Sequence, residues 1–244
     1  MPRDTDADWD VIATHQPFFG VLANEQYFMQ NLTPDAKQDF YASGEADINH
    51  VVRTLAAING GKFAPKTALD FGCGVARLTL AMAKHVESVI GVDVADGMLD
   101  VARREAIERG VAGVEFRRDL PDRPVDWINS LIVFQHIPPE RGHEIFERLV
   151  QSLRPGGFLS VQVTFFRDAR HTAEVVRDLA DYRYDGHNIE LLSIAPSEPG
   201  AMSMYDYDLN RLMRTLFTHD FDAVTVQHTD HGGCHGVWLF GVKG

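Results

Sequence analysis

The feature that most constrains this chain is an alternation of strand-like and helix-like segments between residues 68 and 165. Short apolar runs such as Ala68–Phe71 and Ser88–Val92 are each followed by a segment whose apolar residues recur at helical spacing. Parallel strands need crossover connections, and helices of this kind supply them. The pattern predicts an α/β fold with a Rossmann-like, mainly parallel sheet that is covered by helices on both faces.

Five further strands complete a predicted seven-stranded sheet. Three are expected at Val114–Phe116, within Trp127–Gln135 and at Phe158–Phe165. Near the C-terminus, Ala223–Val226 and Val237–Val242 also have strand character. The connection between these last two is short enough for a hairpin, so the final strand is predicted to be antiparallel.

The segments outside this alternation suggest a division of the chain. Residues 1–63 lack strand alternation and are predicted to form an N-terminal helical cap or lid. Residues 64–244 would then be the Rossmann-like domain, with an insertion at about 167–203 that includes a short helix near Ala173–Leu179. Breaks between the helices of the cap are predicted at Pro17, Pro34 and Gly44.

Composition limits the classes of partner. The chain carries 35 acidic and 23 basic side chains, a formal charge of −12. Because such a surface repels phosphate backbones, we expect no nucleic-acid substrate. With no apolar run of bilayer length and an acidic start, the chain is predicted to be cytoplasmic and to bind no membrane. Cys73 and Cys234 form no ligand-spaced pair, so free thiols are expected; oligomeric state is left open.

The loop from Asp70 to Ala76 lies where the first predicted strand turns into a helix, the place where open α/β sheets bind ligands. Gly72 and Gly74 lack a Cβ, so backbone N–H groups can approach a ligand there. A dinucleotide fingerprint would place a third glycine where this chain has Arg77. A nicotinamide oxidoreductase is therefore disfavoured.

Carboxylates end the first two predicted strands. Asp70 ends the first, and Asp93 ends the second, where the two hydroxyls of a ribose could donate hydrogen bonds to it. The pair suits a cofactor that carries hydroxyl and ammonium groups.

Three ordered motifs resemble class I S-adenosylmethionine-dependent methyltransferases: Ala68–Gly74, then Gly91–Val94 followed by Met98-Leu99, and finally Pro155–Gly157. The resemblance covers roughly residues 64 to 244. It implies that S-adenosylmethionine is bound and S-adenosylhomocysteine released. The cofactor-binding residues that it implies are Asp70, Gly72, Cys73, Gly74, Asp93, Val94, Met98, Asp119, Leu120, Phe134 and Gln135.

The same resemblance implies individual roles. Asp93 would hold the ribose, Met98 would flank the adenine and Asp119 would meet the amino edge of the adenine. Ala76 departs from the glycine that many members carry at this position. Because a methyl group is small, we expect adjusted loop packing and retained binding.

His136, at the end of the fourth predicted strand, is the candidate catalytic base. Methyl transfer depends on positioning and desolvation, and an oxygen nucleophile also needs a proton acceptor. The alternative is that His136 only hydrogen-bonds the following turn.

The Asn-Pro-Pro-aromatic tetrad of many amino-methylating relatives is missing here, which favours, as the methyl acceptor, a hydroxyl oxygen of a sugar or natural-product intermediate. A cofactor-binding protein without activity is the alternative function.

Tyr41 and His231 are predicted to contact the acceptor. Tyr41 belongs to an aromatic N-terminal segment that could close over the cofactor as a lid, or could simply form the core of a helical cap. His231 lies in a connection with three histidines, predicted at the carboxyl edge of the sheet. His231 or His235, together with Asp230, could hold a divalent ion, but the spacing matches no metal motif, so no metal is predicted.

Overall fold

The computed structural model describes residues 4–168, 170, 180–184, 189–193, 200 and 202–244. Ten strands occur in this part of the chain, in two sheets. In chain order they are β1 (Thr67–Phe71), β2 (Ser88–Val92), β3 (Val114–Arg117), β4 (Val125–Ser130), β5 (Leu153–Arg167), β6 (Ala180–Tyr184), β7 (Ile189–Ser193), β8 (Met204–Tyr205), β9 (Phe221–His231) and β10 (Cys234–Lys243).

The larger sheet has seven strands in the order β3-β2-β1-β4-β5-β10-β9. The first five are parallel, whereas β10 is antiparallel to both β5 and β9. This confirms the predicted fold class. Since β9 runs in the same direction as the parallel strands, the β9–β10 turn lies at the carboxyl edge of the sheet. The smaller sheet pairs β6 with β7 and β7 with β8, both antiparallel.

Seven α-helices occur in the described part of the chain. They are α1 (Thr5–His15), α2 (Pro17–Val21), α3 (Pro34–Ile58), α4 (Thr79–Met82), α5 (Asp96–Glu108), α6 (Pro139–Ser152) and α7 (Leu209–Thr218). The side chains of Asp4, Thr33 and Asp208 cap the N-termini of α1, α3 and α7, because each accepts a hydrogen bond from a free backbone N–H of the first turn.

The central strands read as apolar runs because helices cover both faces of the sheet. On one face, Leu69, Ile128 and Leu159 are buried against α6 and α7. On the other, Trp127 and Phe240 are buried against α3. The strand ends that carry the glycine loop are therefore held from both sides.

The N-terminal helices are part of a further core. Ile12 of α1, Phe18 of α2 and Phe40 of α3 pack with Met98 and Ala102 of α5 in one cluster of buried residues. The predicted break at Gly44 is wrong, because α3 continues through this residue. A Cβ on Gly44 would lie 2.3 Å from the carbonyl oxygen of Arg77, so the glycine permits close packing of α3 on the segment after β1. Pro17 and Pro34 do begin helices, as predicted.

The histidine-rich connection is shorter than predicted. The two strands extend to His231 and from Cys234, so the turn between them is Gly232-Gly233, both with positive φ. The predicted helix near Ala173–Leu179 lies outside the described residues, and the division into cap and domain stays a prediction. No described helix is long and apolar enough to cross a membrane.

Candidate active site

A cavity of about 370 Å³ opens at the carboxyl edge of the sheet. Gly72 after β1, Asp93 after β2, Asp119 after β3 and Ile132 after β4 all line it, so it crosses four neighbouring strand ends. Open α/β sheets bind ligands at this place. Of the predicted cofactor-binding residues, seven line the cavity: Gly72, Gly74, Asp93, Val94, Met98, Asp119 and Leu120.

The glycine loop has no room for side chains at its two glycines. Gly72 and Gly74 have φ values of +73° and +52°, in the region that glycine tolerates best. A Cβ on Gly72 would lie 2.4 Å from the side chain of Val133, and one on Gly74 would lie 2.5 Å from Val21. The loop can therefore bring its backbone close to a ligand only because both positions are glycine.

Asp93 connects this loop to the end of β2. Its Oδ2 accepts a hydrogen bond from the Gly74 N–H at 2.9 Å, and its Oδ1 accepts one from the Ala95 N–H at 3.0 Å. Burial raises the pKa of Asp93, and these backbone N–H donors oppose the rise. Each carboxylate oxygen keeps a second lone pair, and Asp93 lines the cavity, so it can accept hydrogen bonds from hydroxyls of a ligand.

Residues 68–157 match the family described as "Methyltransferase domain". Trans-aconitate 2-methyltransferase of Rhizobium rhizogenes is 36% identical over 98 residues, which is 39% of this chain and 38% of the relative. A ubiquinone biosynthesis O-methyltransferase of Shewanella halifaxensis is 34% identical over 125 residues, 49% of this chain and 51% of the relative. The chain thus spans about half or less of the length of these curated relatives.

A solved structure shares the fold over nearly the whole chain. Magnesium protoporphyrin IX methyltransferase from Synechocystis PCC 6803, crystallised with S-adenosylhomocysteine, superposes with a TM-score of 0.66 at 16% identity and covers 99% of this chain and 100% of the other. Residues 68–157 thus match a methyltransferase domain, and the chain has the fold of methyltransferases crystallised with S-adenosylhomocysteine. The close backbone approach that Gly72 and Gly74 permit and the carboxylate of Asp93 fit S-adenosylhomocysteine, the ligand of that structure.

Ala76 keeps the backbone conformation of a glycine, with a φ of +69°. A left-handed conformation costs a residue with a Cβ roughly 1–2 kcal/mol. The Ala76 methyl group is fully buried among apolar side chains, and this packing offsets part of that cost.

Four predicted cofactor residues do not line the cavity with their side chains: Asp70, Cys73, Phe134 and Gln135. The first is buried beneath the loop, where it accepts hydrogen bonds from Thr79 Oγ1 at 2.6 Å and Asn129 Nδ2 at 3.1 Å. Burial raises the pKa of Asp70 to about 6. Asp70 therefore ties β1 to β4 and to the helix after the loop, and its direct binding to the cofactor stays a prediction.

The other three residues are absent from the cavity lining for identifiable reasons. Cys73 is buried, and burial raises the pKa of its thiol. Phe134 belongs to the apolar core beside Phe71 and Phe146. Gln135 is buried and hydrogen-bonded to His136. The sequence places these residues near the strand ends but does not give the direction of their side chains.

His136 lines the cavity as a neutral imidazole of defined tautomer. Its Nδ1 lies 2.9 Å from the Ser203 carbonyl oxygen, which can only accept, so Nδ1 carries the proton. Its Nε2 therefore has the lone pair and accepts from the Gln135 amide at 3.1 Å. Burial lowers the pKa of His136 to about 4, and the edge of the Trp9 ring packs on it at 5.1 Å between centroids.

The lowered pKa of His136 leads to a prediction about stability. Between pH 6.5 and 4 the unfolded chain binds a proton that the folded chain does not, so acid weakens folding. From pH 7.5 to pH 4.5 this histidine should cost the native protein about 2 kcal/mol, a loss that is absent from His136→Gln. Urea unfolding of both proteins at the two pH values measures it. Equal losses of stability in both would contradict a buried neutral His136.

The two residues that are predicted to contact the acceptor, Tyr41 and His231, do not line the same cavity. His231 lines a second cavity, of about 340 Å³, next to the first. Tyr41 is buried, donates its hydroxyl to the Val75 carbonyl oxygen at 2.9 Å and packs under the Arg109 guanidinium. Tyr41 lines neither the first nor the second cavity, and its hydrogen bond holds α3 on the loop, so its contact with the acceptor stays a prediction.

The sequence analysis did not predict the ion pair that joins α1 to α6 at the first cavity. Asp6 and Trp9 of α1 and Arg141 of α6 all line it. The Arg141 guanidinium binds both carboxylate oxygens of Asp6, at 2.6 and 2.8 Å. Arg118 also lines the cavity while paired with Asp96. The aromatic content of the N-terminal segment signalled Trp9, but no local pattern indicates a pair as distant in sequence as Asp6 and Arg141.

Proposed function

We propose that this chain binds S-adenosylmethionine in the first cavity and transfers its methyl group to a hydroxyl oxygen of a small molecule, a sugar or natural-product intermediate. The observation that carries the proposal is the glycine loop held by Asp93, with the carboxylate facing a cavity of about 370 Å³. The name of the Shewanella relative, an O-methyltransferase, supports an oxygen acceptor.

Different residues along the cavity would contact different parts of the cofactor. Asp93 accepts hydrogen bonds from the ribose hydroxyls, and Met98 and Leu120 provide apolar contacts for the adenine. The backbone at Gly72 and Gly74 faces the amino-acid end. The cap residues of α1 exclude water from this site, and desolvation strengthens every polar contact inside it.

When bound, the cofactor supplies an electrophilic methyl group, which moves to the acceptor oxygen as the carbon–sulfur bond breaks and its electron pair stays on sulfur. His136 Nε2 takes the proton that the oxygen loses, after the acceptor hydroxyl displaces the Gln135 amide from this lone pair. The Ser203 carbonyl oxygen holds the proton of Nδ1 and keeps the ring in the orientation required. Because the pKa of His136 is low, this proton transfer accompanies methyl transfer and does not precede it.

Calorimetry on the full chain tests the cofactor. We expect S-adenosylhomocysteine to bind and NAD⁺ not to bind. Gly74→Val should lower the affinity for S-adenosylhomocysteine roughly tenfold or more, because the new side chain strains the backbone and meets Val21 beside the cavity.

Gly110→Val is the matched control for this substitution. Gly110 also has a positive φ, of +65°, but no atom lies within 4 Å of its added Cβ. It should therefore share the backbone strain and leave the affinity unchanged. NAD⁺ binding, or equal losses of affinity in the two variants, would count against the proposed site.

A further inference from the structure

The second cavity shares Leu131 and Ile132 with the first. Both residues follow the carboxyl end of β4. From there the first cavity extends toward Asp93 and Asp119, after β2 and β3, whereas the second extends toward the β9–β10 hairpin on the other side of β4. The two cavities therefore lie side by side along one edge of the sheet, separated by the short segment after β4.

That segment has an unusual backbone. Ile132 has a φ of +60°, a left-handed conformation that a β-branched residue rarely adopts. Its N–H donates to Gln162 Oε1 at 3.1 Å, and Gln162 Nε2 in turn donates to Thr229 Oγ1 of the hairpin at 3.4 Å. Strained residues held in this way by their surroundings cluster at ligand sites. Ile132 is thus fixed at the boundary between the two cavities.

The polar groups of the second cavity come from α3, from the loop before α4 and from the hairpin. Ser43, Asp47, Arg77, Thr229 and His231 all line it. The Arg77 Nη1 atom donates to Asp47 Oδ2 at 2.6 Å and to Ser43 Oγ at 3.1 Å. Burial lowers the pKa of His231, so this imidazole is neutral near pH 7.

The charges of this cavity are already compensated. Among the described residues that line it, Arg77 is the one guanidinium or ammonium group, and Asp47 pairs with it. Asp230, which also lines the cavity, pairs with Arg170. An anionic ligand would have to lose its hydration without gaining an uncompensated cation, which is costly. Hydroxyl groups both donate and accept, and they match the serine, threonine, histidine and carboxylate groups present.

We propose that the second cavity holds the body of the acceptor, an uncharged, hydroxyl-rich small molecule, whose reacting hydroxyl passes Ile132 to reach His136 and the methyl group in the first cavity. The inference rests on the methyl transfer of the proposed function. Leu22, Leu131 and Trp238 supply apolar walls for the carbon skeleton of such a ligand. The volume of about 340 Å³ suits a small molecule.

Saturation-transfer NMR on the full chain, loaded with S-adenosylhomocysteine, tests the ligand class. The probes are methyl β-D-glucopyranoside and catechol, which are uncharged, and trans-aconitate, which carries three carboxylates. We expect the uncharged probes to bind and trans-aconitate not to bind. His231→Ala should weaken binding of the uncharged probes by at least about threefold, because one hydrogen-bonding group is lost.

Thr229→Trp should abolish probe binding by filling the cavity, with the affinity for S-adenosylhomocysteine unchanged. Val226→Trp is the control, since Val226 is exposed on the same strand and lines neither cavity. Preferred binding of trans-aconitate, or no binding of either uncharged probe, would overturn the inference, as would unchanged probe binding in both Thr229→Trp and His231→Ala. Failure of the native chain to bind S-adenosylhomocysteine would instead contradict the proposed function.

Discussion

Asp93→Ala should lower the affinity for S-adenosylhomocysteine by about a hundredfold or more. Two hydrogen bonds from the ribose to a charged acceptor are worth about 1.5 kcal/mol or more each, and a loss of about 2.7 kcal/mol is a factor of a hundred. The substitution also removes the acceptor that holds the Gly74 N–H, so the loop loses its connection to β2. Both effects act on the same cavity.

Calorimetry with S-adenosylhomocysteine measures this loss, and circular dichroism confirms that the variant is folded. Asp100→Ala is the matched control, because Asp100 is an exposed aspartate of α5 whose carboxylate pairs with Arg103. It should bind the ligand as the native chain does. Native affinity in folded Asp93→Ala would remove Asp93 from the ribose site.

Asp206→Ala should destabilise the fold by about 3–5 kcal/mol, the usual cost of removing one partner of a buried ion pair. Arg167 of β5 donates through Nε to Asp206 Oδ2 at 3.0 Å and through Nη2 to Oδ1 at 3.2 Å. The two side chains are only 1% and 3% exposed. The pair attaches the segment before α7 to β5, close to the residue that holds the His136 ring.

Urea unfolding at pH 7.5 measures the loss. Glu45→Ala, which breaks the exposed pair between Glu45 and Lys84, should cost less than about 1 kcal/mol. Replacing both buried partners, with Arg167→Met and Asp206→Leu together, should recover part of the stability lost in the single variant. A single variant that unfolds like Glu45→Ala would show that Arg167 finds adequate compensation elsewhere.

The sequence predicted those parts of the site that depend on the backbone. Gly72 and Gly74 were identified because a glycine loop between a strand and a helix is typical of a ligand site, and Asp93 because the end of the next strand must lie beside it. Side-chain direction was not predictable in the same way. Asp70 stands at a strand end as Asp93 does, but it turns beneath the loop to Thr79 and Asn129.

Long-range packing explains the remaining differences. Gly44 resembles a helix break in the sequence, and only the approach of the Arg77 backbone shows why α3 needs a glycine there. The aromatic N-terminal segment suggests a lid role for Tyr41, but in the structure Tyr41 is buried and donates a hydrogen bond to the Val75 carbonyl oxygen. The edge strand β9 was underestimated because the polar residues from Gln227 to His231 lack apolar alternation, although backbone pairing with β10 continues along them.

The core shared by the N-terminal helices and α5 bears on how this chain should be handled in the laboratory. Ile12, Phe18 and Phe40 cover Met98 and Ala102, so expressing residues 64–244 alone would expose a hydrophobic surface of α5 to water. Such a truncated product would be prone to aggregate before any ligand could be tested on it. Limited proteolysis or single-residue changes in α1 are therefore the practical ways to learn whether this helix moves, and expressed proteins should retain the first helices.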